Sequence, residues 1–550
     1  MRILLFLILT IIIKTTHSLS LAIDAEFMCL SIEWNHLPEA FLIYAQGKPT
    51  GQINPFSINL IRNLAAGVRY QGSPTLRIGG NSATLMWWSR SNVTRPPTTN
   101  LTVAPITLGL MDRIATATNS RLVPDISMLL PDPAVTTDFV KTGLLANINY
   151  RNLLAIELGN EPEIWVRKGF RPENWTYTSD YINEFITFTN KITNDIPTIP
   201  KTYFWGPAMS TMGNLTTFIA SNQPSINGFS FHRYALSGCT DDPKLVNLPL
   251  LLQDPYPTSY NFLFNAVNAA TTISGVGLNG KNLVAGEINS VSCGGVDGVS
   301  NVFGAAIWGL DNFLTLADLS IRKVCVHGAQ GNFRSTAASD HSYGPWISDL
   351  HENVVNVRPI YYSMLFFNRI IGSANSTVRQ ANFTILDPTA LPPQPVDAST
   401  TPTPPNIKLW LVKNGNGGYT FVILHKDLGL PAVDLLINAT SLQVSGDNAA
   451  MVERMTAANV YSKTGIRVAG MTLDGSTDGR PVGKWQTEIV RANSADELYR
   501  ITVDTGTVAV MYLAGAGPGG PVGATSFSAR SSSCDSILVT MLLFICWMAL

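Results

Sequence analysis

The stretch Leu154-Ala155-Ile156-Glu157-Leu158-Gly159-Asn160-Glu161-Pro162 is an apolar run that stops at a carboxylate. A second run has the same shape, Asn282-Leu283-Val284-Ala285-Gly286-Glu287-Ile288-Asn289. Both read as short buried strands, and Pro162 keeps the first from continuing. Around them, from about residue 24 to 345, further short strands alternate with helical patterns. The strands expected are Glu26–Glu33, Thr75–Ile78, Arg121–Met128, Leu153–Leu158, Thr202–Gly206, Gly228–His232, Leu283–Gly286 and Lys323–His327. Amphipathic stretches at Phe56–Ala66, Ile106–Thr118, Ser179–Thr193, Ser259–Ile273 and Val299–Ser320 fall between them. Repeated β-then-α units of this number imply an α/β fold, a closed parallel (β/α)8 TIM barrel. In such a barrel the strand ends facing the loops form the active site, so Glu161 ends the fourth strand there and Glu287 the seventh.

After about Tyr343 the pattern changes. A helix-like stretch, Val357 to Phe367, leads into alternating runs at Ile407–Lys413, Tyr419–His425, Val433–Ile437, Gln486–Val490 and Leu498–Tyr512, with a Pro/Thr-rich loop from Pro388 to Pro405. Short strands with turn signals between them predict a β-sandwich. The expected organisation is a leader over residues 1–20, a barrel over 24–345, a C-terminal β-sandwich domain over 346–515 and a second processing signal over 523–550.

The chain has 550 residues, 45% of them apolar and only 14% charged, with a net charge of −1. The length suits a barrel plus a second module. No basic tract suggests nucleic acid, and a monomer is expected. Met1-Arg2 followed by the apolar run Ile3 to Ile13 reads as a secretory signal. At the other end, the small residues Gly523-Ala524-Thr525-Ser526, a polar spacer and the apolar run Ile537 to Leu550 match a GPI-attachment signal. A C-terminal membrane helix is the alternative, but that run is short for one. Sequons at Asn92, Asn100, Asn174, Asn214, Asn375, Asn382 and Asn438 fit an exported glycoprotein on the outer face of the plasma membrane, or a secreted one. In an oxidising compartment a bridge between Cys239 and Cys293 is favoured, since each follows a strand of the expected active site. Cys29 and Cys325 lie within strands and read as buried thiols. No Cys/His spacing resembles a metal site, and no cofactor is expected.

Two carboxylates at barrel strand ends are what glycosidic bond cleavage needs. Asn160 is placed to bind a sugar hydroxyl beside the bond being cut. Gly286 would allow close approach of substrate to the backbone. His232 and Tyr234 share a side-chain direction by strand alternation, and Tyr234 is placed to hydrogen-bond Glu287 and keep it ionised. Arg77, in Leu76-Arg77-Ile78-Gly79-Gly80-Asn81-Ser82, is expected to organise buried carboxylates through its fork of donors. For Trp87 and Trp88, packing is the default over stacking on a sugar.

Taken together these motifs resemble family 79 of the glycoside hydrolases, the group of heparanase and β-glucuronidases. The matching stretches are Leu76–Ser82, Ala155–Pro162, Gly228–Gly238, Val284–Ser290, Val324–Phe333 and Arg358–Phe367. The resemblance implies a retaining enzyme acting on a uronate-containing glycan, with Glu161 as acid/base, Glu287 as nucleophile and Asn160 on the sugar 2-hydroxyl. It also implies that Gly331-Asn332-Phe333 holds the uronate carboxylate. The family has Tyr where this chain has Phe333, and heparanase has His at Arg233 and Thr-Lys at Asn81-Ser82. These departures point toward a simple β-glucuronidase and away from sulfated heparan. Other retaining barrel glycosidases, of β-glucosidase, xylosidase or arabinofuranosidase type, share the two acidic strand ends. A non-catalytic surface glycan-binding protein is the alternative from a different class.

Overall fold

The computed structural model describes residues 6–9, 22–23, 26–66, 72–91, 93–210, 215–222, 226–239, 242, 244–254, 282–328, 330–331, 343–350, 353–372, 375–381, 406–439, 442, 449–493 and 498–513. Within them, β1 (Met28–Ile32), β2 (Thr75–Ile78), β3 (Leu122–Ile126), β4 (Ile156–Leu158), β5 (Phe204–Met209), β6 (Gly228–Leu236), β7 (Asn282–Val291) and β8 (Lys323–His327) close into one barrel. Every neighbouring pair is parallel, including the closing pair of β8 with β1. This is the TIM barrel expected from the strand pattern. The helices between strands are α1 (Pro55–Ala66), α2 (Pro105–Thr118), α3 (Pro133–Asp138), α4 (Ile182–Asp195), α5 (Leu215–Asn222), α6 (Leu248–Gln253) and α7 (Phe303–Asp318), with α8 (Pro359–Ile371) after β8. Proline opens α1, α2, α3 and α8, where its missing N–H costs no hydrogen bond. Gly372 ends α8 at φ 62, the left-handed position glycine takes without a Cβ penalty. The helix expected at Ser259–Ile273 lies outside the described residues.

Strand alternation sorts the lumen into layers. Cys29, Val123, Ala155, Trp205, Val284 and Cys325 form a compact apolar layer across it. Cys29 and Cys325 are register partners on the closing strands, with Cα atoms 4.0 Å apart, and are joined as a disulfide. They are therefore not the separate buried thiols expected. Cys239 and Cys293 form the second bridge, as favoured. Above the apolar layer comes a polar one, and above that the mouth.

The C-terminal strands are β9 (Thr377–Ala381), β10 (Ile407–Lys413), β11 (Tyr419–His425), β12 (Val433–Asn438), β13 (Ala449–Thr456), β14 (Leu498–Val503) and β15 (Thr507–Leu513). The run expected as one strand from Leu498 to Tyr512 is two, broken by a turn at Gly506, whose φ is 65. β9, β10, β11, β15 and β13 form one antiparallel sheet and β12 and β14 belong to another. Phe6–Leu9 adds parallel to β12, inside the stretch read as a leader. Side-chain alternation puts Leu409, Phe421, Ile423 and Met511 of the first sheet against Leu435, Ile437 and Ile501 of the second in a separate apolar core.

The sandwich is tied to the barrel through α7, which is buried along most of its length. Asp311 on α7 accepts from the Trp410 indole at 2.9 Å and pairs with Lys426 at 2.6 Å and Lys408 at 2.9 Å. Burial works against an ionised Asp311, but the two lysines hold it below the usual carboxylate range. Burial also drags Lys426 down to about 8. Among the described residues, no helix is long and apolar enough to cross a membrane.

Candidate active site

Arg77 is the hub of the polar layer. Its side chain is wholly buried, and each of its three nitrogens has a hydrogen-bond partner. Nε donates to Glu157 at 2.5 Å, Nη1 to the Ser31 hydroxyl at 2.9 Å, and Nη2 to Asp125 at 3.1 Å and to Asn160 Oδ1 at 3.2 Å. Nη1 also lies 3.6 Å from Glu287. Arg77 thus organises buried acids, as the sequence suggested, and orients the amide of Asn160. Burial pushes the Asp125 carboxyl well above its ordinary range against the pull of Arg77, with Glu157 and Glu287 adding to the rise. Among the described residues, Asp125 Oδ1 and Glu157 Oε1 lack hydrogen-bond partners, so this layer carries more acid than its one guanidinium satisfies.

β7 brings Gly286 and Glu287 to the same side of the wall. The β6–β7 register pairs Phe231 with Ala285 and then His232 with Glu287, so one residue is skipped at Gly286. The bulge breaks simple alternation and turns both residues inward. A Cβ on Gly286 would meet Ser230, Glu157 and Arg77 at 3.5–3.7 Å. Gly286 therefore faces the Arg77 layer.

Four groups converge on Glu287. Tyr234 donates its hydroxyl to Oε1 at 3.0 Å. His327 Nε2 is 3.0 Å from the same oxygen, and His232 Nδ1 is 3.0 Å from Oε2. Arg77 stands behind. Burial opposes ionisation of Glu287, yet His327 first, then His232 and Arg77, outweigh it and hold the carboxyl far below the usual carboxylate range. Tyr234 is pushed well up by burial and by Glu287, so its hydroxyl keeps the proton it donates.

Glu161 follows β4 and faces Glu287 across His232, whose Nδ1 lies 3.1 Å from Glu161 Oε1. One oxygen of each carboxylate and this nitrogen all lie within 4.8 Å of one another. Burial works against charge on His232, but Glu287 and then the Glu161 hydrogen bond raise it above the ordinary imidazole value. Asn160 is buried beside Arg77, whereas Asn81 is exposed at the rim, its backbone N–H bonded to Glu33 at 2.9 Å.

Asn160, Glu161, His232, Tyr234, Glu287 and Arg77 thus meet in one place. Arg233 does not join them. It points the other way and pairs with Asp254, which also accepts from the Trp308 indole at 2.9 Å. Trp87 and Trp88 are buried, with Trp88 bonded to Thr142 at 2.9 Å, and both line a cavity with Ser127, Leu129 and Phe139. Asn332 and Phe333 lie outside the described residues, and Gly331 is described as backbone in a two-residue strand. The sequence reading missed His327 and Glu33, although both close expected strands at the same barrel end. Glu33 caps the segment after β2 by accepting from the Asn81 and Ser82 amides. Asp125 and Glu157 were hidden inside apolar runs, where a lone acid is itself a signal.

No protein-family model matches the chain. Two relatives are named β-glucuronidase: one from Aspergillus niger, 27% identical over 32% of this chain and 35% of its own length, and one from Neurospora crassa, 25% identical over 55% of this chain and 56% of its own. The matched stretch thus spans a third to about half of each relative. Among solved structures, a 4-O-α-L-rhamnosyl-β-D-glucuronidase from Fusarium oxysporum superposes with a TM-score of 0.67 at 18% identity, over 92% of this chain and 100% of that one. A family 51 α-L-arabinofuranosidase from Bifidobacterium longum superposes at 0.59 with 10% identity, over 92% and 99%. The structural neighbours are glycoside hydrolases, and at these identities the likeness is one of fold.

Proposed function

We propose that the chain is a retaining glycoside hydrolase that acts on β-linked glucuronic acid in extracellular glycans. The observation that carries this is the pairing of Glu161 and Glu287 across His232, with carboxylate oxygens within 4.8 Å of each other. Double displacement uses carboxyl groups roughly 5–5.5 Å apart, whereas single displacement leaves roughly 6.5–9.5 Å for a water. Glu287, held ionised by His327, His232 and Arg77, attacks the anomeric carbon. Glu161 gives its proton to the leaving oxygen as the glycosidic bond breaks. It then takes a proton from water, which displaces Glu287 and frees the sugar. Asn160, its carbonyl oxygen fixed by Arg77, offers its amide N–H groups to the sugar. The glucuronide rests on the names of the relatives and on the resemblance of the motifs.

The same reading makes the protein an exported, GPI-anchored glycoprotein. Two disulfides and the exposed sequon residues Asn100, Asn174 and Asn375 support it.

The test is hydrolysis of aryl glycosides by the purified protein. Turnover of a β-glucuronide with retained anomeric configuration, lost in Glu287→Gln, is expected. Turnover of a β-glucoside, β-xyloside or α-arabinofuranoside instead would overturn the sugar. Glycan binding that survives Glu287→Gln, with no turnover of any aryl glycoside, would make the protein a non-catalytic binder.

A further inference from the structure

The turn that carries Glu161 has an uncommon backbone. Gly159 is at φ 77, and Glu161 itself is left-handed at φ 46 and ψ 57. A non-glycine residue there persists only where its surroundings over-determine it. Those surroundings are well defined. Gly159 N–H donates to Ile126 O at 3.0 Å, and Glu161 N–H to Ala208 O at 2.9 Å. Between them, the Asn160 carbonyl accepts a 2.8 Å bond from the indole N–H of Trp165. That indole closes on Gly159, where a Cβ would meet Cζ2 at 3.1 Å and Cη2 at 3.2 Å.

Trp165 is itself held on all sides. It is 1% exposed, stacks on Trp175 with centroids 5.8 Å apart and meets Tyr181 edge-on at 5.7 Å. The Arg171 guanidinium lies 4.9 Å from its ring. Arg171 is fixed in turn by Glu184 at 2.8 Å and by the carbonyls of Met128 and Leu129 at 2.7 and 2.8 Å. Tyr181 donates to Leu158 O at 3.1 Å, one residue before the turn.

We infer that Trp165 is a positioning residue for the reaction. Its indole N–H fixes the peptide between Asn160 and Glu161, and so sets where the Glu161 carboxyl stands relative to Glu287 and the bond to be cut. This inference rests on the reading of Glu161 as acid/base. Trp165 touches neither substrate nor the reacting atoms, so its removal should look like a misplaced acid. A leaving group that departs unprotonated does not need that acid.

The test compares phenyl and 2,4-dinitrophenyl glycosides of the sugar the enzyme turns over, in wild type, Trp165→Phe and Glu161→Gln. A second variant replaces Trp165 by 3-benzothienylalanine, which keeps the shape and puts sulfur where the N–H was. Both Trp165 variants should lose about 10- to 100-fold in kcat/KM on the phenyl glycoside, the scale of a small misplacement of a catalytic group. They should lose little on the dinitrophenyl glycoside. Equal losses on both substrates, or no loss, would overturn the inference. So would a benzothienylalanine variant that does not fold, since the N–H would then serve folding rather than placement. If Glu161→Gln shows no dependence on leaving group, the acid/base reading itself fails, independently of Trp165.

Discussion

His327→Leu should move the acid limb of the pH–rate profile to higher pH. His327 is the foremost group holding Glu287 ionised, with Nε2 3.0 Å from Oε1. Its other nitrogen bonds the Ser31 hydroxyl at 2.9 Å, which keeps its bond from Arg77 when the imidazole is gone. The backbone carbonyl of His327, which accepts from Asn289 at 2.9 Å, is untouched by the substitution. Leucine therefore removes one interaction with Glu287 and leaves the wall intact. A hydrogen bond to a charged group contributes about 1.5–3 kcal/mol, and one pH unit corresponds to about 1.36 kcal/mol. Losing a donor that favours the ionised form raises the carboxyl by roughly one to two units. If Glu287 is the nucleophile proposed above, it must be ionised to attack, and kcat/KM should begin to fall at a pH about one to two units higher than in wild type. The assay is kcat/KM against pH on one aryl glycoside, with wild type and variant on the same substrate so that the ionisation of the sugar cancels. A folded variant whose acid limb superimposes on that of wild type would refute the reasoning.

Arg77→Met should destabilise the protein by about 3–5 kcal/mol, because Asp125 and Glu157 lose the cation that compensates their burial. Urea unfolding measures this, and a loss under about 1 kcal/mol, the scale of an exposed pair, would count against the hub role. Glu287→Gln should flatten the acid arm of stability. A carboxyl depressed in the folded state contributes stability above its unfolded value, about 4.3, that is lost as pH falls toward the folded one. Parallel acid arms for variant and wild type would sink that assignment. Mild reductant should open Cys239–Cys293, where Cys239 is exposed, long before Cys29–Cys325, whose residues are both 0% exposed. Alkylation and peptide mass mapping follow the order, and equal rates would contradict it.

The barrel was legible because each strand is a short apolar run with punctuation at its ends. Thr75–Ile78 and Lys323–His327 fall where the pattern puts them. β6 and β7 run further than expected, to Leu236 and Val291, because His232-Arg233 in one and Glu287, Asn289 and Ser290 in the other interrupt the apolar run. Hydropathy fades there while the ladder continues, pairing Tyr234 with Asn289 and Leu236 with Val291. β13 was missed for a similar reason. Glu453 and Arg454 break its apolar alternation, and Glu453 is buried against Arg369 and the Tyr512 hydroxyl. The Cys29–Cys325 bridge depends on the register of the first strand against the last, and residues 296 apart in sequence carry no local sign of it.

The bulge at Gly286 shows what alternation alone misses at the mouth. With an unbroken period of two, an inward Val284 and Gly286 would send Glu287 outward into the helix layer. The skipped residue in the β6–β7 register reverses the phase, so Glu287 and Asn289 point inward after Val284 has done so. Asn289 then donates to the carbonyls of His327 and Tyr343 at 2.9 and 2.8 Å, which fixes β7 against the strand that delivers His327. A Cβ at Gly286 would face Glu157 and Arg77 Nε, the atom that holds Glu157, at 3.6 and 3.7 Å, ordinary contact distances, so the layer beneath reaches up to this backbone. The bulge at Gly286 therefore turns Glu287 inward over the layer that Arg77 fills. The skipped residue thus puts the carboxylate into the mouth with the Arg77 guanidinium 3.6 Å behind it.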